Sequence, residues 1–400
     1  MSVKSYLQRK DLRVPFAILR HMKKVLLGIG LLVLVAIVGV WYLAPWQSPP
    51  LQTPVYVAPV TESAVESAES VESKVALEVV AEGLTVPWEV LFLPDGELLV
   101  TERPGRLVLL PSGRLYEVDE VSSTGEGGLL GAALHPDFAR NNWVYLYQTT
   151  EDGLGLKNKV VRYVLTDESL TRDRIIFDDI PGARFHDGGR IVFGPDGYLY
   201  VTVGDALRAD EAANPTTLEG TLLRLTDEGA PAPGNPFDTA VYSYGHRNAQ
   251  GLAWDPAGNL WSSEHGRSVG GSGYDEINLI TPGSNYGWPD SEGETVADGT
   301  VAPAWHSTAD ITWAPGGLAY HEGSLYMPGL RGQTLYEAVL NGTEIIAWHE
   351  HLVGRYGRLR TVVVSPDGYL YLTTSNQDGR GEPIPTDDRL IRLDPAQLER

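Results

Sequence analysis

The chain has 400 residues, with 52 acidic side chains against 31 Lys and Arg, a formal net charge of −21, no cysteine, 44 glycines and 27 prolines. So large an excess of negative charge repels phosphate and excludes nucleic acid as a partner, and the absence of cysteine excludes disulfide support. The glycine and proline content, with no long amphipathic helical pattern after residue 75, points to many short strands joined by turns.

Residues 1–24 carry seven Lys and Arg side chains against the single acid Asp11. Residues 25–44 are an uninterrupted apolar run without a charge, long enough to span a bilayer as one helix. The positive-inside rule then places residues 1–24 in the cytoplasm and the rest of the chain on the periplasmic or extracellular side. Ala44-Pro45-Trp46 is a poor cleavage site, which favours a retained signal anchor; a removed signal peptide starting at Met22 is the alternative. Residues 45–74, rich in Pro, Ser, Glu and Val, read as a disordered acidic tether, with a short acidic helix over 62–72 as the other reading.

Residues 75–400 repeat one pattern. Pro94-Asp95-Gly96, Pro195-Asp196-Gly197, Pro256-Ala257-Gly258, His321-Glu322-Gly323 and Pro366-Asp367-Gly368 each precede a short apolar strand, and a divergent sixth copy runs from His135 to Tyr147. Proline presets φ, Asp bonds its own backbone and Gly accepts positive φ, so each copy reads as a hairpin turn. The copies recur at roughly 45 to 65 residues, the length of one four-stranded blade. The expected fold is all-β, a six-bladed β-propeller of four-stranded antiparallel blades, preceded by the N-terminal transmembrane helix and linker. Residues 222–226, 276–280 and 389–393 read as half-buried outer strands. Residues 75–80 are expected to pair with the last blade and close the ring.

Five stretches at strand ends look over-specified for simple turns: Gly125 to Gly131, the loop and hairpin from His186 to Asp205, Gly245 to Gly251, Ser263 to Arg267 with the strand after Asp275, and Tyr356 to Arg360. In a propeller the loops of one face converge on the central channel, so these can share a pocket. The hairpin between them can return His186 and Asp205 to one edge, as a general base and its orienting partner; a capped turn with a merely structural histidine is the bland alternative. Arg247, Arg358 and Arg360 would line the same pocket, and guanidinium forks suit a ligand with several carboxylates. Arg358 and Arg360 lie at period two and could instead pair with acids across a sheet. His135 reads as a turn residue, His349 and His351 lack the spacing of a helical zinc motif, the Trp and Tyr side chains read as filling between blades, and the loop that carries Trp313 before Ala314-Pro315 is expected to border the pocket.

From residue 82 to residue 395 these motifs, in this order, resemble the glucose/sorbosone dehydrogenase family of periplasmic aldose sugar dehydrogenases, which use pyrroloquinoline quinone (PQQ) and calcium on a six-bladed propeller. The resemblance implies that His186 takes the proton from the anomeric hydroxyl of an aldose while hydride passes to the quinone and the sugar becomes a lactone. It makes Asp205 the support of that base, and Glu126, Arg247, Asn248, Arg331, Arg358 and Arg360 the cofactor contacts. The carbonyls of Gly266 and Arg267 would hold cofactor-linked Ca2+, and Glu276 with the Tyr286 carbonyl a structural Ca2+. An external electron acceptor (quinone, cytochrome or dye) would complete the cycle. Three positions depart from the family's usual residues. Glu126 stands where glutamine is common and would repel an anionic cofactor unless paired, Arg331 replaces lysine, and Arg267 replaces proline. Two other classes fit a propeller: a non-catalytic extracellular ligand-binding domain, and a calcium-dependent lactonase-type hydrolase. The first has no need of a His-Asp pair beside an arginine cluster, and the second wants carboxylates and amides around a central metal.

Overall fold

The computed structural model describes residues 49–57, 77–267 and 273–399. The membrane-spanning segment expected at 25–44 and most of the expected tether lie outside them. Among the described residues no helix is long and apolar enough to cross a membrane.

Six antiparallel sheets follow one another along the chain. The first blade is Pro87–Phe92, Leu98–Glu102, Arg106–Leu110 and Arg114–Glu117. The second is Leu129–Leu134, Trp143–Asp152, Gly155–Leu165 and Leu170–Pro181. The third is Ile191–Phe193, Leu199–Val203, Thr221–Leu225 and Val241–Tyr244. The fourth is Ala249–Trp254, Leu260–Glu264, Glu276–Ile280 and Trp305–His306. The fifth is Ala319–His321, Ser324–Pro328, Leu335–Asn341 and Glu344–His351. The sixth joins Leu359–Val364, Leu370–Thr374 and Leu390–Leu393 to the early strand Leu77–Glu82. Every one of the six turn copies falls between the first and second strands of a blade.

Ring closure follows the expected route, with Leu77 opposite Leu393 and Val79 opposite Ile391. The three expected outer strands are instead third strands, and they are mostly buried because a fourth strand covers each of them. Val55–Tyr56, inside the segment expected to be tether, adds a fifth strand to the last blade opposite Glu82 and Ala81. Thr85 Oγ1 accepts a bond from the Gln52 backbone at 2.9 Å and ties this strap to the ring.

The core is divided among six seams between neighbouring blades rather than gathered in one centre. Second strands are sandwiched in these seams, so Leu98–Glu102, Leu199–Val203, Leu260–Glu264 and Ser324–Pro328 are buried at every position. That explains why they read as apolar runs and not as alternating strands. His135 stacks among Trp143, Tyr145 and Phe193 in its turn, and His351 pairs with buried Glu337 at 2.9 Å. Trp313 stacks on Trp348 at 4.8 Å in the seam between the fourth and fifth blades, so its ring serves packing and not the pocket.

Arg190 crosses the middle of the ring. Its guanidinium pairs with Glu89 of the first blade, donates to the Gln250 carbonyl of the fourth at 2.9 Å and to Thr361 Oγ1 of the sixth at 3.3 Å, and covers Trp88 at 4.2 Å. Arg190→Met leaves Glu89 buried without its counter-charge and is expected to destabilise the domain by about 3–5 kcal/mol. Restoring an all-apolar pair with Glu89→Leu should recover most of that loss, as read from denaturation midpoints of the two variants.

Candidate active site

The first strand of each blade starts, and the second ends, on the same face of the ring, and the chemical groups gather there. His186 precedes the third blade and Asp205 follows that blade's second strand. The hairpin between them brings His186 Nδ1 to 2.7 Å from Asp205 Oδ1. His186 itself has φ of +63°, and its carbonyl lies so close to Gly204 that a Cβ there would fall 1.9 Å from the oxygen. Glycine at 204 is therefore required for the loop to sit against the sheet.

The Asp205 carboxylate is saturated with donors. Oδ1 also accepts from the Leu207 backbone at 2.9 Å, and Oδ2 accepts from the Trp288 indole at 2.9 Å. Burial opposes its ionisation, but the bonds to His186 and Leu207 and the nearby Arg247 hold it below the usual carboxylate range. On the far side of the imidazole, Nε2 lies 2.9 Å from Arg247 Nη2. A guanidinium can only donate, so Nε2 is the acceptor and the ring proton sits on Nδ1, toward Asp205. The lone pair that a base needs thus points into the pocket.

Arg247 reaches this place because Glu264 accepts its backbone N–H while also pairing with His246 Nδ1 at 2.8 Å. Its guanidinium lies over Trp288 at 5.3 Å, with Arg267 over the same ring at 4.8 Å. Asn248 Oδ1 accepts from Gly188 at 3.0 Å and from Gln250 Nε2 at 3.3 Å, so this side chain also holds the His186 loop. Across the channel Arg358 forms a two-pronged pair with Asp378 at 3.0 and 2.7 Å and donates to the Leu330 carbonyl at 3.2 Å. Arg360 sits behind it, 3.9 Å from the same carboxylate and 3.4 Å from Gln250 Oε1. Both arginines therefore pair with an acid, Arg358 closely and Arg360 at 3.9 Å, but the acid stands on the loop after Leu370–Thr374 and not across the sheet. Burial, with Arg103 and Arg358 nearby, pushes Arg360 down to about 9.

The remaining expected contacts fall as follows. Glu126 has both oxygens engaged, one by the His186 N–H at 3.0 Å and one by Arg380 at 2.8 Å. Arg331 is exposed, its N–H on the Trp313 carbonyl, next to the Leu330 carbonyl that Arg358 uses. Gly266 donates to Asp275 at 2.9 Å, and Arg267 pairs with Glu292 at 3.3 Å at the edge of the described residues. Glu276 accepts from Asn278 and Gly293, both at 3.2 Å, and burial with neighbouring Glu264 pushes it up to about 8. Tyr286 stacks on His246 at 4.6 Å and donates to the Leu279 carbonyl. Trp288, Arg103, Asp378 and Arg380 were not anticipated, and His265 lies within the Ser263 to Arg267 stretch without having been given a role of its own. Of the first four only Trp288 had a visible signal, an aromatic residue in a Gly-Trp-Pro turn.

The arrangement suits a multiply charged anion. Two buried nitrogens, Arg247 Nε and Arg360 Nε, have no hydrogen-bond partner among the described residues, although both flank the pocket. A buried donor without a partner is costly, and carboxylates of a ligand would satisfy both.

The chain matches the family model for glucose/sorbosone dehydrogenase over residues 84–391. It is 32% identical to an aldose sugar dehydrogenase of Escherichia coli K12 over 76% of this chain and 91% of that one. Among solved structures, an oxidoreductase (glucose dehydrogenase) of Thermus thermophilus superposes with a TM-score of 0.75 at 49% identity, covering 79% of this chain and 99% of that one. The PQQ-bound aldose sugar dehydrogenase of Streptomyces coelicolor gives 0.73 at 42% identity, covering 81% and 99%.

His265 gives this site a measurable signature. Burial, opposed by Glu126 but reinforced by Arg247 and Arg360, lowers its pKa to about 3. Its ring resonances in the cofactor-free protein should therefore stay unchanged from pH 8 to pH 4.5, where an ordinary histidine titrates near 6.5. Because the unfolded chain binds this proton and the folded one does not, His265 subtracts stability as pH falls below about 6.5. His265→Gln should flatten that part of a pH–stability curve.

Proposed function

The chain belongs to the glucose/sorbosone dehydrogenase family, and from that membership and the geometry of the pocket we propose that it oxidises an aldose at the anomeric carbon to its lactone, using PQQ and calcium. The observation that carries this reading is the imidazole of His186, held through Nδ1 by Asp205 with its Nε2 lone pair turned into an arginine-lined pocket. When bound, the quinone supplies the two-electron acceptor.

His186 Nε2 takes the proton of the anomeric hydroxyl, and Asp205 stabilises the imidazolium that results. The Asp205 carboxylate keeps its charge and its aim because Trp288 and Leu207 saturate it from behind. Arg247 donates to Nε2, so the guanidinium has to turn toward an anion before the base is free. Arg247, Arg358 and Arg360 are the residues that would hold the cofactor's carboxylates, with Asn248 aligning the loop between them and the base and Arg331 at the rim. Glu126 is left out of this contact set, since protein donors already occupy both of its oxygens.

Backbone oxygens of Gly266 and Arg267 would hold the calcium linked to the cofactor, and Glu276 with the Tyr286 carbonyl a second ion. In support, Glu276 is a half-buried carboxylate beside Glu264 that ionises reluctantly, and a cation there would replace its proton. The apolar run at 25–44 supports a membrane-anchored protein on the periplasmic or extracellular face, passing electrons to an external quinone, cytochrome or dye.

The deciding experiment adds PQQ and calcium to the purified propeller and follows dye reduction with a panel of aldoses. Reduction that requires both additions and a sugar is expected, and sugar-independent or cofactor-independent behaviour would sink the proposal. His186→Ala should bind the cofactor normally and turn over about two to four orders of magnitude more slowly. Replacing Arg358 and Arg360 together should weaken cofactor binding first, measured by titration of the quinone absorbance.

A further inference from the structure

We propose that Glu126 is a positioning residue for the base, clamping the backbone of His186 and coupling it through Arg380 to the arginine cluster. The proposal rests on His186 being the base.

His186 has a left-handed backbone, a conformation disfavoured for a residue with a Cβ, and it persists only if its surroundings hold it. Three contacts do so. Glu126 Oε2 accepts the His186 N–H at 3.0 Å, the Ala206 N–H reaches the His186 carbonyl at 3.2 Å, and Asp205 holds the ring at 2.7 Å. Glu126 also donates its own N–H to the Arg184 carbonyl at 2.9 Å, so it grips the segment on both sides of Phe185. Gly125 makes the approach possible, because a Cβ there would fall 2.1 Å from the Arg184 carbonyl oxygen.

The second carboxylate oxygen points the other way, to Arg380 Nη1 at 2.8 Å on the loop after Leu370–Thr374 in the sixth blade. The Arg380 N–H is itself held by Asp378 Oδ1 at 2.9 Å, while Asp378 Oδ2 grips Arg358. A continuous line of bonds therefore runs from the His186 backbone through Glu126, Arg380 and Asp378 to Arg358. Burial opposes the charge on Glu126, but Arg380 and the His186 side of the site outweigh it and hold the carboxyl well below the usual range.

Donors face Glu126 from both sides, and only a carboxylate can accept from both. Glutamine has the same shape but one acceptor, so Glu126→Gln must turn an NH2 against either His186 N–H or Arg380. Removing the competing donor with Arg380→Met frees the glutamine oxygen for His186 and leaves the net charge of the pair at zero. This pair of substitutions separates positioning from mere folding.

Two readouts test it. In the cofactor-free protein, amide exchange over residues 184–187 should accelerate at least about tenfold in Glu126→Gln and return toward the rate of Arg380→Met in the double variant. In the loaded enzyme, kcat of Glu126→Gln should fall on the order of 10- to 100-fold, with sugar KM and cofactor Kd within about threefold of wild type, because a displaced base slows the chemical step without loosening binding. The double variant should recover to within about threefold of Arg380→Met alone. Unchanged exchange in Glu126→Gln overturns the clamp, as does a loss confined to cofactor Kd or a double variant without recovery. A wild-type protein that oxidises no aldose while the exchange difference persists overturns the proposed activity and leaves the clamp standing.

Discussion

One guanidinium holds the centre of this ring together. Arg190 takes an acid from the first blade, a carbonyl from the fourth, a hydroxyl from the sixth and the face of Trp88, while its own backbone opens the third. Propeller blades pack through separate apolar seams, and such seams resist separation more than sliding, since apolar contact is not directional. A buried hydrogen-bonded charge is directional, and it ties the relative placement of four blades to fixed distances. The functional side chains hang from the ends of these same strands, so their geometry inherits that registration.

The same residue separates two environments. Trp88 lies near both Arg190 and Arg360, at 4.2 and 6.0 Å from the two guanidiniums. Beyond Arg190 the channel is lined by Leu91, Leu134, Phe193, Leu252 and Leu318, a cavity of about 350 Å³ with little charge to offer a polar ligand. On the other side stand Arg103, Arg247, Arg358 and Arg360, in a chain whose net charge is −21. Burial lowers the pKa of Arg103, Arg247 and Arg360 alike, so each carries a desolvation penalty that the surrounding acids only partly relieve. Such a cluster suits an anionic ligand, whose negative charge would offset the same penalty.

Much of the fold was legible because its signals are local. Pro195-Asp196-Gly197 and its copies specify turns through φ restriction and Asx bonding, and their regular recurrence predicts the six blades. His186 and Asp205 were legible for the same reason, since one short hairpin sets their separation. The depth of the third strands was not, because half-buried alternation looks alike whether or not a fourth strand covers the edge. Trp313 shows that a loop's place does not fix a side chain's direction: its loop is tied to Arg331 and Gly332, while the ring turns into the seam onto Trp348.

Neighbours a few residues apart were enough to encode the blade count, the hairpin that carries His186 and Asp205, and the placing of Arg247, Arg358 and Arg360 at strand ends. Three other features came into being only when the ring closed: Trp288 saturating Asp205, Arg247 covering Nε2, and Glu126 facing His186 and Arg380 instead of the pocket. Those contacts join residues 83, 61, 60 and 254 positions apart. No local pattern encodes such a meeting, because it depends on where the closed ring brings the loop ends together and on which donors reach each carboxylate oxygen first.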